Sequence, residues 1–202
     1  MLPEILERNL NVIFVGTTIS EVSDELGFYY LGPNNRFWSL LAYAGITPTS
    51  LVSASERNVL VDASKEGVLS DMYKKLFFEK KEAELLKHRV GVTDFNRRRV
   101  VSKDDDPAAE PTKDDIEKFL TKAKKYRPKI LAFVCSMGVF EKCLGHFHPS
   151  ATRERGKQDF LVGDSEVWLV GSTSGRVKDT AALEQVFEDL EARLKELIAK
   201  PV

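Results

Sequence analysis

The chain has 202 residues, of which 43% are apolar and 30% are charged, and its formal net charge at pH 7 is −1. This length and composition predict one globular domain with a full core, spanning residues 1–202. The near-zero charge argues against a protein coated in basic residues for non-specific nucleic-acid binding, while leaving room for local basic faces. No apolar run is long enough to span a membrane, and the first ten residues lack the features of a signal peptide. We therefore expect an intracellular protein.

The cysteines and histidines give no clear metal site. Cys135 and Cys143 have no CxxC motif around them, and we expect buried free thiols rather than a disulfide or metal ligands. His146 and His148 have an HxH spacing, but no further Cys or His provides a convincing third ligand. We interpret them as loop histidines and predict no bound metal.

The first third of the chain predicts a strand followed by a helix. We expect a short helix near residues 3–8 and a strand at 11–15, where a continuous apolar run is typical of a buried parallel strand. Gly16 is expected to end this strand, because the backbone must bend tightly there or be approached closely. A helix at 35–44 follows, with apolar residues at helical spacing after a capping asparagine.

Residues 50–89 are highly charged and read as a mostly helical insertion. Within them, 58–61 could form a short strand, and 72–86 predict an amphipathic helix. The side chains expected to face inward from that helix are Tyr73, Leu76, Phe77 and Leu85.

The second half alternates strands with helices. A strand edge at 90–95 enters a loop, and the Pro-, Ala- and acid-rich stretch 102–115 predicts a mobile loop. The remaining predicted elements are a helix at 114–125, a strand at 129–134, a helix at 137–144, a strand at 167–170 after a hairpin or loop, and a helix at 179–200. This order predicts an α/β fold, a three-layer α/β/α sandwich with a short, mainly parallel central sheet.

Two segments are candidates for a ligand site. In an open α/β sheet the crevice lies at the carboxyl ends of the strands, so chemistry is expected at Gly16–Ser20. Tyr29 and Tyr30 precede the sequence GPNNRFW, which places aromatic faces and side-chain amides within one short loop. That combination suits a flat, hydrogen-bonding ligand such as a nucleobase.

Basic residues form three local clusters. Each cluster alone is typical of a solvated loop, whereas its position beside a predicted strand end favours contacts to phosphates. The clusters are Arg97, Arg98, Arg99 and Lys103, then Arg153, Arg155 and Lys157, and finally Arg176 and Lys178.

Several motifs together resemble the uracil-DNA glycosylase superfamily, most of all its mismatch-specific uracil and thymine-DNA glycosylase branch. In that branch a strand leads into a GINPG-type motif, and an aromatic residue followed by HPxNRFW comes later. GTTIS, Tyr30 and GPNNRFW have the same spacing here, and the later segments GVT, KILAFV and GKQDFLVGDSEVWLVGSTSGRV follow in the same order. FYYLGPNNRFW is also similar to the hypoxanthine-DNA glycosylase branch, where two tyrosines precede HPRNxFW.

The resemblance implies a uracil-DNA glycosylase-like fold and a monofunctional DNA glycosylase that begins base excision repair. Such an enzyme flips out uracil, or a related deaminated or mismatched base, and hydrolyses its N-glycosidic bond with water and no cofactor. Its partner would be DNA, expected to be duplex, and the protein a monomer without membrane contact. A catalytically weak protein that binds damaged or mismatched DNA is the alternative. An unrelated phosphate-binding domain is disfavoured because the chain has no GxGxxG motif or P-loop.

The resemblance also implies roles for individual residues. Tyr30 would stack on the extruded base, and backbone N–H groups beside Gly16, from Thr17 to Ser20, would donate to the base carbonyls. Arg176 would be the wedge that fills the gap left in the duplex, against the simpler interpretation of a surface arginine. Ser172 and Ser174 would hold the flanking phosphates.

The catalytic positions depart from the family pattern. Thr18 stands where the family has the asparagine that positions water, and a hydroxyl cannot supply both the acceptor and the donor of an amide. Ile19 and Ser20 replace the proline and glycine of the motif, and Gly32 replaces the histidine of HPxNRFW. The water activator must therefore be sought elsewhere.

Asp94, in GVTDF, is the leading candidate, since a carboxylate there could accept a proton from water and stabilise the sugar cation. Alternatively, Asp94 caps a turn or pairs with Arg97 or Arg98. Asn35 is the second candidate, because the matching asparagine of the hypoxanthine branch is assigned catalysis. Its simpler interpretation is a helix N-terminal residue that bonds nearby backbone. HFHPSA at 146–151 resembles the HPSP motif of other members, but it precedes the last predicted strand and GSTSGRV already fills that place.

Overall fold

Five strands form one sheet with the order β2-β1-β3-β5-β4 in the computed structural model, which describes residues 2–32, 34–101, 107–145 and 148–199. The pairs β1–β2, β1–β3 and β3–β5 are parallel, and only the edge strand β4 is antiparallel to its neighbour. The strands are β1 Val12–Ser20, β2 Val90–Val101, β3 Ile130–Val134, β4 Gly156–Val162 and β5 Ser165–Leu169. The predicted mainly parallel sheet is confirmed.

Helices cover both faces of this sheet. They are α1 Glu21–Leu26, α2 Phe37–Tyr43, α3 Ala54–Lys65, α4 Asp71–Lys87, α5 Lys113–Tyr126, α6 Met137–Phe140 and α7 Thr180–Ala199. A 3-10 turn lies at Pro107–Ala109, and a π-helical turn at Glu141–Gly145 continues α6.

The two faces of the sheet carry separate apolar cores. Val12 and Phe14 of β1 belong to a core shared with α1–α4 and α7, whereas Ile13 and Val15 belong to a core shared with α5 and α6. Because successive strand residues point to opposite faces, a strand that is apolar throughout must be covered on both sides. The predicted three-layer α/β/α arrangement follows.

Strand β1 is longer than predicted. It continues through Gly16 to Ser20, so the predicted end of the strand at Gly16 is wrong. The close approach predicted there as the alternative to a bend is found, because Asp94 leaves no room for a side chain at Gly16. The reason for the longer strand is non-local: β2 runs alongside as far as Val101, pairs with Thr18 through Asn96, and resumes pairing after a bulge. On its other edge β1 pairs with β3 only up to Gly16, opposite Val134. Beyond that point this edge of β1 has no strand partner within the described ranges.

Three local predictions also fail. Residues 3–8 form no helix, because Ile5 instead makes an antiparallel bridge to Val92 and covers the outer edge of β2. Residues 58–61 lie in α3, which begins with a capping box between Ser53 and Glu56 that outweighs the local strand propensity. In α4, Phe77 and Leu85 are buried as predicted, whereas Tyr73 and Leu76 are exposed.

The charged loop is described only in part. Residues 102–106, including Lys103, lie outside the described residues, as does Lys200 at the predicted end of the last helix. Helix α5 begins after Thr112, whose hydroxyl and backbone form a capping box with Asp115. Asp115 also receives two hydrogen bonds from Arg98, so this basic side chain is fixed to the start of α5.

A carboxylate on β5 makes the stability of the fold depend on pH. Glu166 is buried and accepts hydrogen bonds from Arg193 and Lys157, which lower its pKa from 4.5 to about 2, with the Arg193 bonds the main cause. Because the folded-state pKa lies below the unfolded value, this stabilisation is present above pH 4.5 and is lost as the pH falls toward 2. We expect Glu166→Gln to lower the free energy of unfolding at pH 7 by about 2 kcal/mol. Unfolding in urea at pH 7, 5 and 3 measures this free energy for both proteins. The difference between wild type and variant should be smaller at pH 3 than at pH 7, and the same difference at all three pH values would contradict the assignment.

Candidate active site

A cavity of about 100 Å³ lies at the carboxyl ends of β1, β2, β3 and β5, where the strand-end rule places ligands. It brings together every candidate site residue from the sequence except Arg176. Its lining residues are Gly16, Thr17, Thr18, Ile19, Ser20, Ser23, Tyr29, Tyr30, Asn35, Asp94, Val134, Cys135, Ser136, Val139, Ser172, Thr173 and Ser174.

Asp94 lines this cavity and is buried, with 3% of its surface exposed. It pairs with Gly16 across the β1–β2 ladder. A methyl group at position 16 would lie 2.1 Å from Asp94 Oδ1 and 3.1 Å from the Tyr30 hydroxyl oxygen. Gly16 is therefore needed for space, because only a residue without a side chain allows this carboxylate to lie against β1.

The arginines that follow Asp94 have other carboxylate neighbours. Arg97 donates to the Tyr29 hydroxyl at 2.7 Å and lies 3.8 Å from Glu4, while Arg98 bonds Asp115 at 2.7 Å. Both arginines thus hold the N-terminal segment and α5 against β2.

Tyr29 is a neutral neighbour of Asp94. Its hydroxyl donates to the Pro3 carbonyl at 3.0 Å. Burial raises the pKa of Tyr29 well above its usual range, and the negative charge of Asp94 raises it further. The tyrosine therefore stays protonated and contributes no second charge to the cavity.

Tyr30 has an unusual backbone. Its φ is 55°, in the left-handed region that a non-glycine residue adopts only when its surroundings enforce it. The ring packs on Phe37 with centroids 4.0 Å apart and planes tilted by 31°, and the Trp38 indole N–H donates to the Tyr29 carbonyl at 3.1 Å. These contacts fix an aromatic side chain at the cavity wall.

Asn35 uses its side-chain carbonyl for structure. Its Oδ1 accepts from the Phe37 N–H at 2.9 Å and from the Thr173 hydroxyl at 3.0 Å. The first bond satisfies a free N–H group at the start of α2, as in the simpler interpretation of this residue. With Oδ1 engaged twice, the amide offers a ligand mainly N–H donors.

The hydroxyls of Thr18 and Ser20 also make structural bonds. Thr18 donates to the Arg99 carbonyl at 2.8 Å, which joins the two strands where the ladder is irregular. Ser20 caps α1 by accepting from the Ser23 N–H at 3.2 Å. Because its proton is used in the bond to Arg99, the Thr18 hydroxyl can only accept a hydrogen bond from a ligand in the cavity. The asparagine of the family would also supply an amide donor.

The segment after β5 lies tightly against the loop before α2. The Arg36 N–H donates to the Thr173 carbonyl at 3.0 Å, and a methyl group at Gly175 would lie 2.5 Å from Asn34 Cβ. Ser172 and Ser174 are half-buried at the cavity wall, and Arg176 is exposed outside it.

The second basic cluster is largely ion-paired. Arg153 bonds Glu141, Arg155 lies 3.6 Å from Asp179, and Lys157 lies 3.1 Å from Glu166. These carboxylates offset the positive charge, so the second cluster provides less field for phosphates than its sequence indicates. Arg176 and Lys178 of the third cluster are exposed.

Sequence reasoning missed several cavity residues. Ser23, Ser136, Val139 and Thr173 line the cavity, as does Cys135. Those that follow β3 could have been found by applying the strand-end rule to every parallel strand instead of only to β1. Ser23 lines the cavity because its hydroxyl bonds that of Ser20, which caps α1. Two serines three residues apart at the start of a helix indicate such a contact.

Cys135 and Cys143 are free and buried, as predicted, and burial raises the pKa of Cys143 to about 12. His148 stacks on Phe160 with centroids 4.0 Å apart, whereas His146 lies outside the described residues. Within residues 2–32, 34–101, 107–145 and 148–199, no group of three or more His, Cys, Asp or Glu side chains could hold a metal ion. In the same ranges no helix is long and apolar enough to cross a membrane.

A family model of the uracil DNA glycosylase superfamily matches residues 3–195. The match covers almost the entire chain, and the protein belongs to this superfamily. Members of the superfamily are DNA glycosylases, hydrolases that act on DNA in base excision repair. The predicted membership of the uracil-DNA glycosylase superfamily is thereby confirmed, together with the α/β fold.

Proposed function

We propose that this protein is a monofunctional DNA glycosylase that hydrolyses the N-glycosidic bond of uracil or of a related deaminated or mismatched base, with Asp94 as its catalytic carboxylate. The observation that carries the proposal is the buried Asp94 carboxylate, which lies against Gly16 in the cavity at the strand ends. The enzyme would act on duplex DNA inside the cell, as a monomer without a cofactor, to begin base excision repair.

In the proposed reaction, the bond from the sugar C1′ to the base nitrogen breaks and the electron pair leaves with the base. Asp94 stabilises the cationic sugar by its negative charge and accepts a proton from the attacking water, whose oxygen bonds to C1′. The base leaves as an anion and then takes up the proton, which returns Asp94 to its charged form. The products are the free base and an abasic sugar. A buried carboxylate suits the first of these tasks, because its interaction with a cation is strengthened where water is excluded.

The leaving base needs hydrogen-bond donors and a flat contact. Past Gly16, the edge of β1 that faces the cavity has no strand partner among the residues described, so backbone groups of Thr17–Ser20 can meet a ligand. Donors fixed in this way stabilise the negative charge that develops on the base. Tyr30 supplies the aromatic face, which typically contributes about 1–3 kcal/mol per stacked base.

Arg176 is the proposed wedge, because it is exposed on the segment whose serines line the cavity. A wedge offsets the cost of unstacking, which is already absent in a single strand. We expect Arg176→Ala to lower excision from duplex DNA roughly tenfold more than excision from the same single strand. Lys178→Ala, which removes an exposed charge nearby, is the control. Equal losses of Arg176→Ala on both substrates would show an ordinary phosphate contact.

Thr18 tests whether the family's water site is still aligned. We expect Thr18→Asn to raise the rate of uracil excision roughly tenfold, since the amide restores both an acceptor and a donor for water. Thr18→Val, which removes the bond to Arg99, is the control and should change the rate little. If Thr18→Val is as damaging as loss of the Asp94 carboxylate, Thr18 is the water activator and our assignment is wrong.

The same site supports a second candidate, a protein that binds damaged or mismatched DNA but cuts it poorly. The observation in its favour is that the Thr18 hydroxyl and Asn35 Oδ1 both make hydrogen bonds within the protein, which leaves fewer polar atoms to position water. The two candidates separate in a panel of strands that carry uracil, hypoxanthine, xanthine or mismatched thymine. The glycosylase proposal requires abasic-site formation on at least one of them, whereas tight binding without abasic sites on all four supports the alternative.

A further inference from the structure

A second cavity lies directly beside the candidate site. Its volume is about 470 Å³, and Asn35 lines both cavities, so the two adjoin. We name it the Arg36–Arg57 groove. Its polar walls are contributed by Asn34, Arg36, Ser39, Ser50, Arg57 and Thr180.

Among the residues that the structure describes, the guanidinium groups of this groove donate hydrogen bonds only to neutral acceptors. Arg36 donates to the Val177 carbonyl and to the Thr180 hydroxyl, and Arg57 donates to the Asn35 carbonyl at 3.0 Å. Neither group forms an ion pair with a carboxylate in the part of the chain that the structure describes. Glu56, next to Arg57 in sequence, pairs instead with Lys81 at 2.9 Å.

This arrangement differs from the basic clusters noted in the sequence. Arg98, Arg153 and Lys157 each lie within ion-pair distance of a carboxylate, which offsets their charge. No carboxylate of the described residues offsets the positive charge of Arg36 or Arg57 in this way. Both side chains are half-buried, where their attraction to an anion is screened less than at an exposed surface. The groove can therefore bind an anion from another molecule.

We infer that the Arg36–Arg57 groove binds a backbone phosphate of the DNA strand whose base enters the neighbouring cavity, an inference that rests on the proposed function. Asn35 lines both cavities, and Ser174 of the first adjoins Gly175 of the second, so a strand that delivers a base into one cavity can pass its sugar–phosphate chain along the other. Arg57 carries five N–H donors and its bond to Asn35 uses one, which leaves donors for phosphate oxygens. Thr180 can add its hydroxyl proton.

The test compares Arg57→Gln with wild type for binding to a uracil-containing duplex over a range of salt concentrations. Neutralising one phosphate contact lowers the slope of log affinity against log salt by about 1. We expect that change for Arg57→Gln, a slope like the wild type's for Arg57→Lys, and no change for Arg127→Gln. Arg127 precedes β3, at the opposite end of the sheet from the cavity, and it is already paired with Asp164.

A second arm places single neutral methylphosphonates at each position around the uracil. One position should weaken wild-type binding as much as Arg57→Gln does, and it should have no further effect in that variant. An unchanged salt slope, or independent effects at every position, would overturn the inference. A wild-type protein that binds the duplex but excises no base would contradict the proposed function without touching this inference. The salt slopes of wild type and Arg57→Gln can still be compared, because they measure binding and not excision.

Loss of the bond to Asn35 is the structural explanation to be excluded. If Arg57→Gln acted by displacing Asn35, excision by the bound enzyme would fall while the salt slope stayed at the wild-type value. That outcome also overturns the phosphate contact, and thermal unfolding of both Arg57 variants identifies a variant that fails to fold.

Discussion

Asp94→Asn is expected to lower the rate of base excision at least about a hundredfold, which is the scale of general acid–base catalysis. The amide has nearly the same shape as the carboxylate, so it still fits against Gly16, but it carries no charge and cannot accept the proton of the attacking water. Single-turnover excision with excess protein measures the rate, and duplex binding measured separately should change little.

The matched control is Asp159→Asn, the same chemical change at an exposed position on β4. It should leave both excision and binding at wild-type values. Near-normal excision by Asp94→Asn would remove Asp94 from the mechanism and leave Thr18 and the Asn35 amide as the polar groups to examine.

Gly16→Ala, on the neighbouring strand β1, is expected to lower base excision to a similar extent. The added methyl group would lie 2.1 Å from Asp94 Oδ1, far too close for a carbon and an oxygen that are not bonded to each other, so the carboxylate must move. Overpacking of this kind typically costs about 1–3 kcal/mol of stability. A displaced catalytic group should also lower excision by about a hundredfold or more, since geometry decides whether the proton can transfer.

Gly138→Ala is the control for this change, because a methyl group there would meet no atom within 4 Å and the position lies in α6. It should retain full excision and a similar melting temperature. A Gly16→Ala protein that melts like wild type and excises normally would show that the carboxylate is not held against β1.

Much of the site could be predicted because it follows from strand order. Alternating strands and helices imply a parallel sheet, and the carboxyl ends of its strands meet at one edge. That rule predicts a site beside Gly16 at the end of β1, whereas the prediction for Asp94 rests on the resemblance of GVTDF to the family's loop over the pocket. The family pattern around Tyr30 then indicated which side chains to expect there.

The rest depended on contacts between distant segments. The length of β1 is set by its pairing with β2 up to Val101, which no pattern within β1 reveals. The partners of Arg98 and Arg153 are carboxylates elsewhere in the chain, so the clusters looked more basic in sequence than they are in the fold. The Arg36–Arg57 groove was missed for the converse reason, because two isolated arginines form no cluster in sequence.

The central claim is that the cavity around Asp94 releases a base from DNA by hydrolysis. The most direct measurement mixes excess wild-type protein with a duplex that carries one uracil, and quantifies free uracil and abasic strand over time. We predict that the two appear in equal amounts and at the same rate, with the strand intact until alkali is added. A duplex that is fully bound and yields neither product would contradict the claim.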